Sequence, residues 1–210
     1  MAINLLRQSS IVKCFTQGFF FMDNQDLTEK QLSTSNVYDG RLLHVREDQV
    51  ELPNGNTTTR EYIVHPGAVV VVPLLDNGDV LMVRQFRYPL SRDFHELPAG
   101  KIDSGEDVLA CGQRELLEET GYAAQDWKFL TTIHPCIGYS DERILIYLAQ
   151  GLSEHGHRRD EDEFLENVRL PLDTALEWVR DGRISDVKTI IGLFWAEKIR
   201  QGAWQAGKSE

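Results

Sequence analysis

Between Gly100 and Tyr122 the chain reads GKIDSGEDVLACGQRELLEETGY. Three glutamates, Glu115, Glu118 and Glu119, crowd into little more than one helical turn, with Arg114 immediately before them and Glu106 in the preceding stretch. At helical periodicity these carboxylates fall on one half of a helix, and Leu109, Ala110, Leu116 and Leu117 fall on the other. Residues three or four apart sit roughly 5–6 Å apart at their Cβ atoms. Carboxylates that close repel one another unless positive charge sits among them. Mg²⁺ or Mn²⁺ suits such an all-oxygen site. That kind of ion keeps several waters, accepts substrate phosphates, polarises a phosphoryl oxygen and lowers the pKa of an attacking water. Those are the tasks of pyrophosphate hydrolysis. Glu115 and Glu119, at i and i+4, are the pair best placed to clamp a metal, and Glu118 can hold a second metal or a metal-bound water. Arg114 can pair with Glu106 and fix the loop against the helix. Gly100 permits a tight turn that lets the Ala99 carbonyl face the ion. The plainer alternative is an exposed helix with a solvated acidic face.

The spacing is Gly100, five residues, Glu106, seven residues, Arg114-Glu115, an apolar residue, one residue, Glu118-Glu119, one residue, Gly121, and apolar Tyr122. It resembles the signature of the Nudix hydrolases at every fixed position. Within that family the chain is similar to the ADP-ribose pyrophosphatase branch over roughly residues 37 to 200. The similarity lies in Glu96-Leu97-Pro98-Ala99-Gly100-Lys101-Ile102, in Pro135 beyond the signature, in Ser140-Asp141-Glu142-Arg143, and in the acidic stretch Asp160-Glu161-Asp162-Glu163-Phe164. The resemblance implies metal ligands at Ala99, Glu115, Glu118, Glu119 and Glu163. It implies catalytic roles for Glu161, as general base, and for Glu118, Arg114 and Glu106. It implies substrate contacts at Glu96, Pro135 and Glu142. Arg60, Arg84 and Arg87 are the cations expected near the phosphates, because guanidinium groups bind phosphate bidentately. Each has a plain salt bridge as its alternative. The chain departs from the branch at Pro135-Cys136-Ile137-Gly138, where proline and glycine are often adjacent, and this bears on substrate choice.

The implied reaction is hydrolysis of a nucleoside diphosphate sugar, ADP-ribose yielding AMP and ribose 5-phosphate. GDP-mannose is the alternative substrate, and a non-catalytic nucleotide-sugar sensor is the alternative of another class. The family further implies a homodimer whose N-terminal strands cross onto the partner.

Composition sets the frame. The chain has 210 residues, 41% of them apolar, and a formal net charge of −11. That acidity argues against a nucleic-acid partner, since no basic surplus is left to neutralise a phosphate backbone. A small phosphorylated ligand stays compatible, because a divalent metal supplies positive charge locally. Cys14, Cys111 and Cys136 are odd in number and form no CxxC pair, which points away from a disulfide framework and towards a reducing cytoplasm. No run approaches the roughly 20 apolar residues that span a bilayer. In residues 1–21, Arg7 and Lys13 interrupt short apolar clusters, unlike a signal peptide, and Met22 is an alternative initiator.

The elements that must position these groups are legible from turns and alternation. Residues 1–34 read as an irregular tail, 35–65 as a small antiparallel β subdomain, 66–203 as the hydrolase domain and 204–210 as a tail. Asn54-Gly55 and Asn77-Gly78 are hairpin signals. Residues 57–64, 68–75, 79–87, 127–134, 144–150 and 164–170 read as strands. Gly121 is the expected C-cap of the glutamate helix. Pro171 opens a helix through Arg180, and Ser185 or Asp186 caps a last one ending near Arg200. The expected class is α+β (mixed α/β), with a mixed sheet sandwiched by helices.

Overall fold

The computed structural model describes residues 26–156 and 164–207. Expectations that fall on residues 1–25, and on Glu161 and Glu163, lie outside them. Strands β1 (Lys30–Asp39), β2 (His44–Glu51) and β3 (Thr57–Val64) form an antiparallel sheet in that order. Leu52 and Gly55 close the β2–β3 hairpin, as the Asn-Gly pair predicts. The irregular tail expected to run to residue 34 is corrected here, because β1 starts at Lys30. Its residues are all exposed, and its first half, Lys30 to Ser35, is polar apart from Leu32, so only Val37 to Asp39 reads as strand in the sequence. It is a strand because it is laddered to β2, with register shifts near Gln31 and Asn36.

The remaining strands are β4 (Ala68–Pro73), β5 (Asp79–Arg87), β6 (Arg92–Glu96), β7 (Ala99–Lys101), β8 (Tyr122–Ile133), β9 (Ile144–Glu154) and β10 (Leu165–Pro171). They make two sheets, β7-β4-β9-β8 and β10-β5-β6. β4 runs parallel to β9 and the other pairs are antiparallel. Helices α1 (Val108–Thr120), α2 (Leu172–Arg180) and α3 (Val187–Arg200) complete the chain. The class is α+β, as expected.

β4 is buried on both faces, which is why it reads as an unbroken apolar run. Its Val69 and Val71 pack with Cys111 and Leu116 of α1. Its Val70 and Val72 join Met82, Leu97, Ile146 and Leu193 in the larger core, towards α2 and α3. The first sheet therefore lies between α1 on one side and the second sheet with α2 and α3 on the other. The N-terminal sheet is tied to this body at the end of β3. Ile63 exchanges backbone hydrogen bonds with Tyr139 and Asp141 of the β8–β9 loop (2.9 and 3.2 Å), and His65 N–H donates to Asp141 (2.7 Å). Trp204, expected in a tail, packs edge-on against Trp195.

Candidate active site

Asp107 caps α1 by accepting from the Ala110 N–H at 3.0 Å. Gly121 ends the helix in the left-handed region (φ 76°), which glycine adopts without penalty. Between these stops, the helix turns two of its three glutamates inward. Glu115 is 9% exposed and Glu119 5%. The simple amphipathic reading is corrected on this point: Glu115 and Glu119 are buried alongside Cys111, Gly112 and Leu116, while Leu109 and Leu117 are only half-buried and Ala110 is exposed. A helix that buries carboxylates next to its apolar stripe spends that burial on a site.

Arg114 supplies the positive charge that the crowding demands. Its Nε and Nη2 fork onto Glu106 at 2.8 and 3.0 Å, and its Nη1 donates to Glu115 at 2.7 Å and Glu118 at 3.0 Å. One guanidinium thereby holds three carboxylates and fastens the loop to the helix. The hydrogen bonds from Arg114 hold the Glu106 carboxyl down at about 2, and Glu106 in turn raises Arg114 above its already high value. Behind them Cys111 is buried, and that burial pushes its thiol up to about 12. It is a packing residue here.

The strand β7 meets this face of α1. Ala99 N–H donates to Glu119 at 3.2 Å. At Gly100 the approach is so close that a Cβ would stand 1.8 Å from the Glu115 carboxylate oxygen, so only glycine leaves room for that side chain.

An open cavity of about 560 Å³ lies over this junction. Ala99, Gly100, Glu115 and Glu119 form its acidic part, Pro135 and Glu142 come from the β8–β9 loop, and Gln85 and Arg87 come from β5. The start of α3 contributes Asp186 and Lys188, and His65 follows from the end of β3. Its size suits a nucleotide-like ligand. Glu96 lies beneath Arg87, only 3% exposed, and takes a fork of two 2.7 Å bonds from Arg87 and a 2.5 Å bond from Lys188. Burial acts to raise its pKa, but Arg87 and Lys188 overcome this and hold it below the usual carboxylate range.

Six residues expected at the site thus line one cavity: Ala99, Glu115, Glu119, Arg87, Pro135 and Glu142. Glu106, Glu118 and Arg114 form the ion-paired cluster beside it. Three expected substrate contacts do not line this cavity in the single chain. Glu96 has both carboxylate oxygens engaged within the protein. Arg84 alternates to the opposite face of β5 from Gln85 and Arg87, and pairs with Glu166 at 2.7 Å. Arg60, in mid-β3, forks onto Glu29 at 2.5 and 2.9 Å and lines a separate cavity of about 230 Å³ with Tyr62 and Tyr139. Lys188, Asp186, His65 and Gln85 were missed. The Asp186 cap was visible in the sequence as a helix start, but not as a cavity wall. Gln85 shares strand parity with Arg87, a signal that alternation alone could have given.

Among the described residues no group of three acidic, imidazole or thiol side chains converges tightly enough to hold an ion by itself. The donor chemistry nonetheless fits a hard divalent cation: two buried carboxylates on successive turns, beside backbone at Ala99, in a cavity that glycine keeps open. Glu163, the expected later ligand, lies outside the described residues.

Comparison with known proteins agrees with this geometry. The NUDIX domain model matches residues 64–189, and that of the nucleoside diphosphate sugar hydrolase N-terminal domain matches residues 29–63. The chain belongs to the Nudix family, and within it to the pyrophosphohydrolase enzymes. It is 42% identical over 167 residues to a methanol dehydrogenase activator of Bacillus methanolicus, covering 79% of this chain and 90% of that protein. It is 40% identical over 171 residues to an ADP-ribose pyrophosphatase of Bacillus subtilis (strain 168), covering 80% and 92%. A crystal structure of an ADP compounds hydrolase superposes with a TM-score of 0.75 at 28% identity, covering 83% of this chain and 95% of that one.

Proposed function

We propose that this protein hydrolyses ADP-ribose to AMP and ribose 5-phosphate in a Mg²⁺- or Mn²⁺-dependent reaction. The observation that carries the reading is the pair of buried glutamates, Glu115 and Glu119, lining a nucleotide-sized cavity that Arg87 also lines. Glu115, Glu119 and the Ala99 carbonyl would hold the cation. When bound, such an ion neutralises phosphate charge and acidifies a coordinated water. The chain's own residues do the rest. Arg114 keeps Glu115 and Glu118 in place, Arg87 meets the diphosphate, and Glu142 with His65 borders the far part of the ligand. Glu161 remains the proposed base and Glu163 the proposed further ligand, both on the resemblance alone.

The reading also holds that the enzyme is a cytoplasmic homodimer. The free thiols of Cys111 and Cys136 support a reducing setting. The dimer is supported by β1, whose whole length is exposed, with Leu32, Val37 and Tyr38 uncovered in the single chain. The test of activity is direct. Purified protein is incubated with ADP-ribose and Mg²⁺, and products are separated by ion-exchange chromatography. AMP and ribose 5-phosphate should appear together and vanish with a chelator. A panel including GDP-mannose, ranked by kcat/KM, should place ADP-ribose first, and a higher value for GDP-mannose would reassign the substrate.

A further inference from the structure

Lys188 opens α3 and lines the cavity, but its side chain is only 14% exposed. Its ammonium group donates to Glu96 Oε2 at 2.5 Å and sits 3.0 Å from Asp186 Oδ2. An ammonium carries three protons, so these contacts leave one for a ligand. Arg87 approaches the same buried carboxylate from β5. Its Nε and one Nη2 proton are spent on Glu96, which leaves three N–H donors on a guanidinium whose side chain is 43% exposed. Two cations from two distant segments thus converge on one buried glutamate, and both still face the cavity.

Asp186 and Thr189 lock the arrangement. Asp186 also caps α3 by accepting from the Thr189 N–H at 3.0 Å, and the Thr189 hydroxyl accepts from the Leu97 N–H at 2.9 Å. The residue before Leu97 is Glu96, so α3 fixes both Lys188 and the glutamate that Lys188 binds.

We propose that Glu96 and Lys188 are positioning residues that hold Arg87 aimed at the diphosphate, with Lys188 supplying a second cation to the same phosphates. A charge-assisted fork fixes a guanidinium plane far better than a single contact does. The buried, doubly engaged Glu96 is therefore an anchor for the cations and makes no contact with substrate itself. This deepens the proposed function and rests on its diphosphate ligand.

The test uses α,β-methylene-ADP, whose phosphates are joined by a bridge that water does not cleave. Its binding is measured calorimetrically in chelator, alongside kcat and KM for ADP-ribose with Mg²⁺. Arg87→Ala, Glu96→Gln and Lys188→Met are each expected to weaken binding by about tenfold or more and to raise KM more than they lower kcat. Lys188→Arg should recover most of the loss. In the Arg87→Ala background, Glu96→Gln should weaken binding by clearly less than it does in the wild type, because only the part that runs through Lys188 remains. Wild-type binding by Lys188→Met, or fully additive losses in the double variant, would overturn the proposal. If Glu96→Gln does not fold, the Lys188→Met and Lys188→Arg pair decides it alone. Failure of the wild type to release AMP from ADP-ribose would instead defeat the substrate reading, with the methylene-ADP result still standing for or against the cation pair.

Discussion

Arg114 carries an unusual share of the site for one side chain, since it meets Glu106, Glu115 and Glu118 at once. A lysine keeps the charge there but has neither the fork nor the reach to serve three partners. Arg114→Lys is expected to lower kcat/KM for ADP-ribose by about 10- to 100-fold, as losses of groups that orient metal ligands commonly do. Steady-state kinetics at saturating Mg²⁺ would check this. The same cluster sets an acid limit. Glu106 has its carboxyl held near 2 in the fold against an ordinary value of 4.5. As pH falls, the unfolded chain takes up that proton first. The stability contributed by Glu106 is therefore complete above about pH 4.5 and is lost progressively towards pH 2. Urea melts across that window should show a weaker pH dependence for Glu106→Gln than for the wild type. An unchanged slope would mean that the fork is loose in solution.

At the scale of elements, the site is a meeting of α1, β7, β5 and α3. Three of the four were legible in the sequence as elements, and β7 was not. The glutamate spacing and the Gly121 cap located α1, and the Asn-Gly pairs located the hairpins. β6 and β7 drew no strand reading, because they are short and frame Leu97-Pro98, where proline removes a ladder donor. Arg84 stands away from the cavity for a different reason. Composition marks it as a phosphate-binding type, but strand parity puts it on the outer face, paired with Glu166. α3 was read as a capped helix, yet nothing local says that its first turn reaches Glu96 at the end of β6 and Leu97 just after it. The tie is a buried hydroxyl: Thr189 is fully buried and accepts from Leu97 N–H. Thr189→Val keeps the shape and strands that donor, which should cost roughly 1–3 kcal/mol of stability. Chemical denaturation measures it, and a neutral result would show that the loop is held by other means.

For the molecule as a whole, the acidic charge of −11 and the small N-terminal sheet acquire a common reading. A strongly acidic protein binds phosphate only where cations are concentrated, and here Arg87 and Lys188 are gathered over one buried glutamate. The sheet of β1, β2 and β3 has few buried residues, and β1 has none. A second copy of the chain is the proposed cover. Light scattering coupled to size exclusion should give twice 24.0 kDa for the full chain. Removal of residues 1–39 should reduce this to the monomer mass, and a monomeric full chain would refute the dimer.

We propose the two inward carboxylates of α1 as the cation grip of a diphosphate hydrolase. Glu119→Gln changes a single atom, keeps the side chain's shape and leaves Arg114 and its three carboxylates untouched. Turnover of ADP-ribose by this variant, followed as AMP released under saturating Mg²⁺, should fall by about 100-fold or more while the thermal midpoint stays near that of the wild type. Full turnover by a folded Glu119→Gln protein would show that Glu119 does not hold the cation.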